Sequence, residues 1–287
     1  MKIVILIASH ISSKKRCDHF VRLLESINNQ TNYSNKMDVQ ISLSLDPNIS
    51  PKELTNLLNI IEQNQFKVYL QDHQLSQFEH YKFLVNQLED LDTWILFSDD
   101  DDKWASDRIL TYELIINNLT TEQNNKITSI CCVPESENSI NNYVSYCVKL
   151  PYCKIFFDHA TDVQIKHKFC DCYFVKFIRT YGSGNLGHLV CKLKREIYIW
   201  MDHNQTDPEY PTHCRLNEND ITNFEEAVVN MFDYFMAGQS KSNTMIDWMS
   251  FCGAYYKNGT IGMRRNVIQY HLDNYENHIF HDKHILE

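Results

Sequence analysis

Apolar and polar residues alternate along the first hundred positions with two periods. Lys2 to Ala8 is an almost unbroken apolar run, as a strand buried on both faces requires. Phe20, Leu23, Leu24 and Ile27 then recur at the i, i+3, i+4, i+7 spacing of a helix with one buried stripe. Val39 to Leu45 alternates apolar and polar residues and predicts a half-buried strand. Ser50-Pro51-Lys52-Glu53 reads as a capping box with proline at the first helical position, ahead of a second stripe at Leu54, Leu57, Leu58 and Ile61. Phe66 to Leu70 predicts a third strand. Ser76-Gln77-Phe78-Glu79 is another capping box, followed by Phe78, Tyr81, Val85 and Leu88 on one helical face. Trp94 to Phe97 completes a β-α-β-α-β-α-β series. Such a series predicts an α/β fold with a largely parallel sheet and right-handed crossovers. The residues after each strand then gather along one edge: Ser9 and His10, Asp46, Asp72 to Gln77, and Asp99 to Asp102.

From Ile127 the pattern changes. Ile127 to Val133, Tyr143 to Val148 and Phe169 to Phe177 predict strands separated by irregular polar stretches without regular helix alternation, a half that completes the sheet. Further on, Phe224, Ala227, Val228, Met231, Phe232 and Phe235 form a strong helical stripe within Thr222 to Ala237.

The fourth strand carries the most chemistry. Trp94-Ile-Leu-Phe-Ser98 runs into four consecutive carboxylates, Asp99 to Asp102, with a helix-start signal at Ser106. Crowded carboxylates repel and raise one another's pKa unless a cation neutralises them. Oxygen-only ligands favour Mg2+ or Mn2+ over zinc. A solvated acidic turn would use the same residues. Position favours a ligand site, because open α/β sheets bind outside the carboxyl ends of their strands. An EF-hand starting at Asp99 fails, since Trp104 and Leu110 stand where Gly and Glu are needed. A phosphatase of the haloacid-dehalogenase type fails as well: Lys103 takes the fifth place of its motif, and the segment is not on the first strand.

Composition narrows the field. The chain has 287 residues, 43% hydrophobic and 22% charged, which is ordinary for a soluble globular protein with a full core. A net charge of -10 argues against a nucleic-acid polymer as partner but tolerates a nucleotide carrying a metal. Ten cysteines are scattered without Cys-x-x-Cys spacing, so zinc is disfavoured. With no secretory signal and no stretch of membrane-spanning length, the expectation is reduced thiols in the cytoplasm.

Phe97-Ser-Asp-Asp-Asp-Asp-Lys-Trp104 followed by Asp107-Arg-Ile109 resembles the Asp-x-Asp segment of GT-A glycosyltransferases, especially the family-2-like group, in which an apolar strand runs into an acidic cluster and then a helix. The resemblance implies a GT-A fold: residues 1–110 as the nucleotide-sugar-binding part, and 111–287 as the acceptor-side and sheet-completing part of the same domain. It implies Mn2+ or Mg2+ on Asp101 with Asp99, and Asp99 and Asp100 beside ribose and diphosphate. It further implies Ser9 and Asp46 toward the nucleoside, and Gln77 and His80 at a helix start that attracts anions. Asp46 also reads as a plain turn acid before Pro47, and His80 as a first-turn polar residue.

Gly182-Ser-Gly-Asn-Leu-Gly187 formally matches a dinucleotide fingerprint with Asp202 as its acid. It lacks the βαβ repeats that should follow, whereas a glycine-bearing loop recurs at this place in GT-A proteins, ahead of a strand and basic turn like His188 to Arg195. An acid on the Thr222–Ala237 helix would deprotonate the acceptor hydroxyl. Asp233 is the first candidate, although Phe232 stands where the family often has Glu; Asp220, just ahead of the helix, is the second, with Glu218, Glu225 and Glu226 also nearby. His271, in the segment from Met263 to Asn274, resembles the family's C-terminal histidine that ligates the metal or touches the diphosphate. The implied activity is metal-dependent transfer from a nucleotide sugar, a UDP-sugar first, to a hydroxyl on a glycan, protein, lipid or small molecule, inverting with an acid positioned behind the acceptor and retaining without one. A nucleotidyltransferase would need a glycine-rich phosphate loop after the first strand, which Ser9 to Arg16 lacks. A nucleotidyltransferase on a similar α/β sheet and a catalytically silent GT-A-like binding protein are the two alternatives.

Overall fold

A computed structural model of the chain describes residues 2–199, apart from 32–37, 136–142, 161, 167–169 and 182–186. The first half follows the predicted series: β1 (Lys2–Ile11), α1 (Lys14–Asn28), β2 (Asp38–Leu45), α2 (Pro51–Gln63), β3 (Lys67–Leu70), α3 (Gln77–Asn86) and β4 (Thr93–Ser98). There follow β5 (Lys103–Trp104), α4 (Arg108–Asn117), α5 (Thr121–Lys126), β6 (Ile127–Pro134), a 3-10 turn at Tyr143–Ser145, and β7 (Tyr146–Lys149). Then come α6 (Leu150–His159), α7 (Asp162–Lys166), α8 (Cys170–Tyr181), β8 (Gly187–Leu193) and β9 (Tyr198–Ile199). Among the described residues no helix is long and apolar enough to cross a membrane.

Seven strands form one sheet in the order β3-β2-β1-β4-β7-β6-β8, and β5 pairs with β9 as a small second ribbon. The pairs β2–β3, β1–β2, β1–β4 and β6–β8 are parallel, and β7 alone runs antiparallel between β4 and β6. Central strands of such a sheet are covered on both faces, so they read as continuous apolar runs. From Val4 to Ile7 of β1 and from Trp94 to Phe97 of β4 every residue is buried.

Two local details set the site. Ser76 closes the predicted capping box: its hydroxyl accepts from the Glu79 amide, and the Glu79 carboxylate accepts from the Ser76 amide, fixing the start of α3. The helix start expected at Ser106 falls one residue later, with Asp107 as an N-cap that makes no side-chain capping bond.

The second half departs from expectation. Residues 170–181 form helix α8 where a strand was predicted, and α6 fills a stretch read as irregular. Tyr, Phe, Val and Ile favour strands by local preference. The spacing of Cys170, Tyr173, Phe174, Phe177 and Ile178, all buried, is nonetheless helical, and packing follows that spacing. Phe174 lies edge-on to Phe97 of β4 at 5.1 Å and to Phe156 of α6 at 4.9 Å between ring centroids. Phe78 of α3 joins them at 5.8 Å from Phe174. This aromatic cluster seals one face of the sheet beneath the edge where the acids lie.

Candidate functional site

Register places the acids. β4 ends at Ser98 opposite Ile7 of β1, so the next residues pass beside the last turns of β1. The Ser9 hydroxyl donates to Asp100 Oδ2 at 2.7 Å, and β1 continues past Ser9, where His10 pairs with Ser44 of β2. The carboxyl ends of the three central parallel strands thus meet at one edge, as predicted.

The four acids have separate surroundings. Asp100 and Asp102 are buried, while Asp99 and Asp101 are partly exposed. Arg16, in the first turn of α1, bridges two of them: Nη2 donates to Asp100 Oδ1 at 2.7 Å and Nη1 to Asp101 Oδ2 at 3.0 Å. Burial still pushes the Asp100 carboxyl up to about 6, against the pull of the Arg16 charge and with a further push from Asp101. Asp99 is raised well above the carboxylate range, first by burial and then by the charge of Asp101, with the Tyr143 hydroxyl acting the other way.

Side chains from distant elements converge on Asp99. Gln77, at the start of α3, and the Tyr143 hydroxyl both donate to Asp99 Oδ1, and Gln77 also donates to Tyr143 at 3.0 Å. The Asp99 amide donates to the Tyr198 hydroxyl of β9 at 3.3 Å. Beneath, the Trp104 indole donates to Ser98 Oγ at 3.0 Å, and the buried Arg108 guanidinium lies between the Trp104 and Tyr198 rings, 4.0 and 4.6 Å from their centroids. β5, β9 and α4 together hold the turn that carries the acids.

Of the remaining expected residues, Asp46 stands at the end of β2, where its Oδ1 accepts from the Asn48 amide at 2.8 Å and from the Asn48 side chain at 2.9 Å. It is a turn acid that still borders His10, whose pKa it raises against a larger lowering by burial. His80 is 1% exposed, with one ring nitrogen 2.7 Å from Ser42 Oγ and the other 3.2 Å from Ser44 Oγ. It reaches the edge through Ser44, which also bonds His10 at 2.9 Å, and through Ser42, which accepts from the Gln71 side chain at 2.9 Å. Burial lowers the His80 pKa to about 4. Asp220, Asp233 and His271 lie outside the described residues.

Arg16, Tyr143 and Tyr198 were not singled out in the sequence. For Arg16 a signal existed: four acids require a counter-charge, and the turn after β1 is the nearest basic stretch in a sheet with β1 beside β4. The tyrosines arrive through tertiary packing, and no local pattern marks them.

Among the described residues no three His, Cys, Asp or Glu side chains are grouped so as to hold a metal by themselves. Asp99 and Asp101 offer hard oxygen donors and carry mutual repulsion that a cation would relieve. Mg2+ and Mn2+ sites at substrate phosphates commonly use one or two carboxylates and draw the other ligands from the phosphate and water. These residues fit such a partial set.

No family model matches the chain, and no curated protein sequence matches it. Solved structures do. TarS of Staphylococcus aureus superposes with a TM-score of 0.58 at 13% identity, over 98% of this chain and 46% of TarS. Residues 1–349 of TarS in complex with UDP-GlcNAc give 0.61 at 12% identity, over 90% of this chain and 73% of that one. The mannosyltransferase PcManGT of Pyrobaculum calidifontis, in complex with GDP-Man and Mn2+, gives 0.51 at 8% identity, over 98% and 81%. The chain spans about half of TarS, at 46%. At these identities the likeness is one of fold, and the fold is the GT-A glycosyltransferase fold expected from the acid-ended fourth strand.

Proposed function

We propose that the protein is a glycosyltransferase that takes its sugar from a nucleotide-sugar donor bound along the carboxyl edge of the sheet. The observation that carries this reading is the arrangement at the end of β4: Asp99, Asp100 and Asp101 project beside the end of β1 and are held by Ser9, Arg16, Gln77 and Tyr143. Structures of the same fold that contain UDP-GlcNAc, or GDP-Man with Mn2+, support it.

In glycosyl transfer the bond from the anomeric carbon to the diphosphate breaks, and negative charge builds on the departing nucleotide. Asp101 and Asp99 would hold a Mn2+ or Mg2+ ion, which would neutralise that charge more in the transition state than in the ground state. Asp99 is kept in place by Gln77, Tyr143 and the bond from its amide to Tyr198, so its free oxygen is presented in one orientation. Asp100, tied to Ser9 and Arg16, serves as the anchor of the turn. Asp46 borders the nucleoside at the end of β2. On the acceptor side, Asp233, or failing that Asp220, takes the hydroxyl proton as the acceptor oxygen attacks, which inverts the anomeric centre. His271 is assigned to the metal or the diphosphate. Residues 1–110 supply the donor half of this machinery and 111–287 the acceptor half.

Incubating the purified protein with a panel of UDP- and GDP-sugars, with and without Mn2+, tests the reading. One donor is expected to raise the melting temperature and to release its nucleotide. Asp101→Asn should slow that release roughly 100-fold or more, as loss of several kcal/mol of charge stabilisation requires. If no nucleotide sugar binds, or if Asp101→Asn turns over at the wild-type rate, the reading fails.

A further inference from the structure

Two thiols outside the acidic edge face each other. Cys132 of β6 and Cys191 of β8 are register partners on adjacent parallel strands, so their side chains leave the sheet on the same face. Neighbouring strands stand about 4.7–4.9 Å apart, within the roughly 4.4–6.8 Å between Cα atoms that a disulfide spans. The two sulfurs already touch through a hydrogen bond. Cys132 is 2% exposed, whereas Cys191 is reached from solvent. One sulfur can therefore meet a reagent while the other waits behind it. Cys131 is the register partner of Val190, and alternation along the strand sends it to the opposite face. Cys147 pairs with Ile130 and Leu96.

The hydrogen bond also divides the proton between them. It draws the Cys191 thiol down to about 7 against the opposing effect of its burial, and with burial it pushes Cys132 up. Cys191 is the attacking thiolate of the pair, and Cys132 the thiol that resolves.

We infer that Cys132 and Cys191 form an oxidisable dithiol, a modification site for hydrogen peroxide that closes to an intramolecular disulfide between β6 and β8. The Cys191 thiolate attacks one peroxide oxygen, the O–O bond breaks, and a sulfenic acid forms on Cys191 while the other oxygen leaves as water after taking a proton. The Cys132 sulfur then attacks the Cys191 sulfur. The S–O bond breaks, the disulfide forms, and the Cys132 proton leaves in a second water. Two thiols and one hydrogen peroxide become one disulfide and two waters, and a dithiol reductant reverses the change.

The test is limited peroxide treatment of the folded, full-length protein, alkylation of the remaining thiols, and peptide mapping by tandem mass spectrometry that separates Cys131 from Cys132. The expected product is a Cys132–Cys191 link with loss of two hydrogens, removed by dithiothreitol and absent in Cys191→Ser. In Cys132→Ser the sulfenic acid should persist on Cys191, where dimedone captures it. Cys191 remaining a thiol, joining any other cysteine, or accumulating as a sulfenic acid in the wild type would each overturn the assignment. The wild-type map decides the matter without either variant. It is also independent of donor binding, so it stands or falls apart from the proposed activity.

Discussion

Arg16 and His80 show how single side chains condition this edge. Arg16 sets one guanidinium against two carboxylates, with side chains 15% exposed for Arg16 and 6% for Asp100. Removing one member of so enclosed a group leaves uncompensated charge, which costs about 3 kcal/mol. Arg16→Gln should lose about that much at pH 8 in urea unfolding. It should lose less at pH 5, where Asp100, its carboxyl pushed up to about 6, takes up a proton. An equal loss at both values would show that Arg16 does not work through these acids. His80 acts in the opposite sense. It is neutral when folded, and its pKa lies near 4 rather than 6.5, chiefly through burial. The unfolded chain binds a proton there first, so this contribution is complete above pH 6.5 and is lost as pH falls from 6.5 toward about 4. The slope reaches about 1.4 kcal/mol per pH unit, or about 3 kcal/mol over the window. The difference in unfolding free energy between wild type and His80→Gln, followed from pH 7.5 to 4, should show it, and a flat difference would refute it.

At the scale of elements, the helix ends explain the regularity of the first half. α2 finishes in a Schellman arrangement: the Phe66 amide donates to the Ile61 carbonyl at 3.1 Å and the Gln65 amide to the Glu62 carbonyl at 3.0 Å. Gln65, in the turn between helix and strand, has φ of 55° where glycine is the usual choice. Gln65→Gly should therefore raise stability by about 0.5–1 kcal/mol despite the larger entropy of its unfolded chain, read as a higher urea midpoint at unchanged slope. A fall in midpoint would mean that the side chain of Gln65 contributes more than its backbone geometry costs. α8 shows where element-level reading failed. Its residue types favour a strand while their spacing favours a helix, and spacing prevailed because only the helix delivers Tyr173, Phe174, Phe177 and Ile178 to one buried face.

At the scale of the whole described unit, the aromatic cluster joins the two halves of the sheet. Phe78 from α3, Phe97 from β4, Phe156 from α6 and Phe174 from α8 meet with centroid separations from 4.9 to 6.3 Å. Phe174→Ala should cost about 3–5 kcal/mol by loss of burial and the cavity left behind. Because β4 lies beside β1 and β7 in one continuous sheet, the loss should appear in the probes of both halves together. A variant that unfolds only the segment beyond β6 would show that the halves are independent. The same cluster lies beneath Ser98 and Tyr143 and so supports the turn that presents Asp99: the Tyr143 ring is 6.2 Å from Phe97 and 5.6 Å from Phe78.

The sequence by itself determined the βα series, the capped start of α3, the parallel core and the gathering of Ser9, Asp46, Gln77 and the four acids at one edge. Each of these rests on period or on neighbours a few residues apart, which the chain carries in its order. Only the tertiary structure decided that α8 is a helix, that β7 runs antiparallel, that His80 is sealed beneath Ser42 and Ser44, and that Arg16, Tyr143 and Tyr198 surround the acids. Those outcomes depend on partners distant in the chain, such as the Asp99 amide with the Tyr198 hydroxyl 99 residues on, in which burial and charge compensation outweigh local preference.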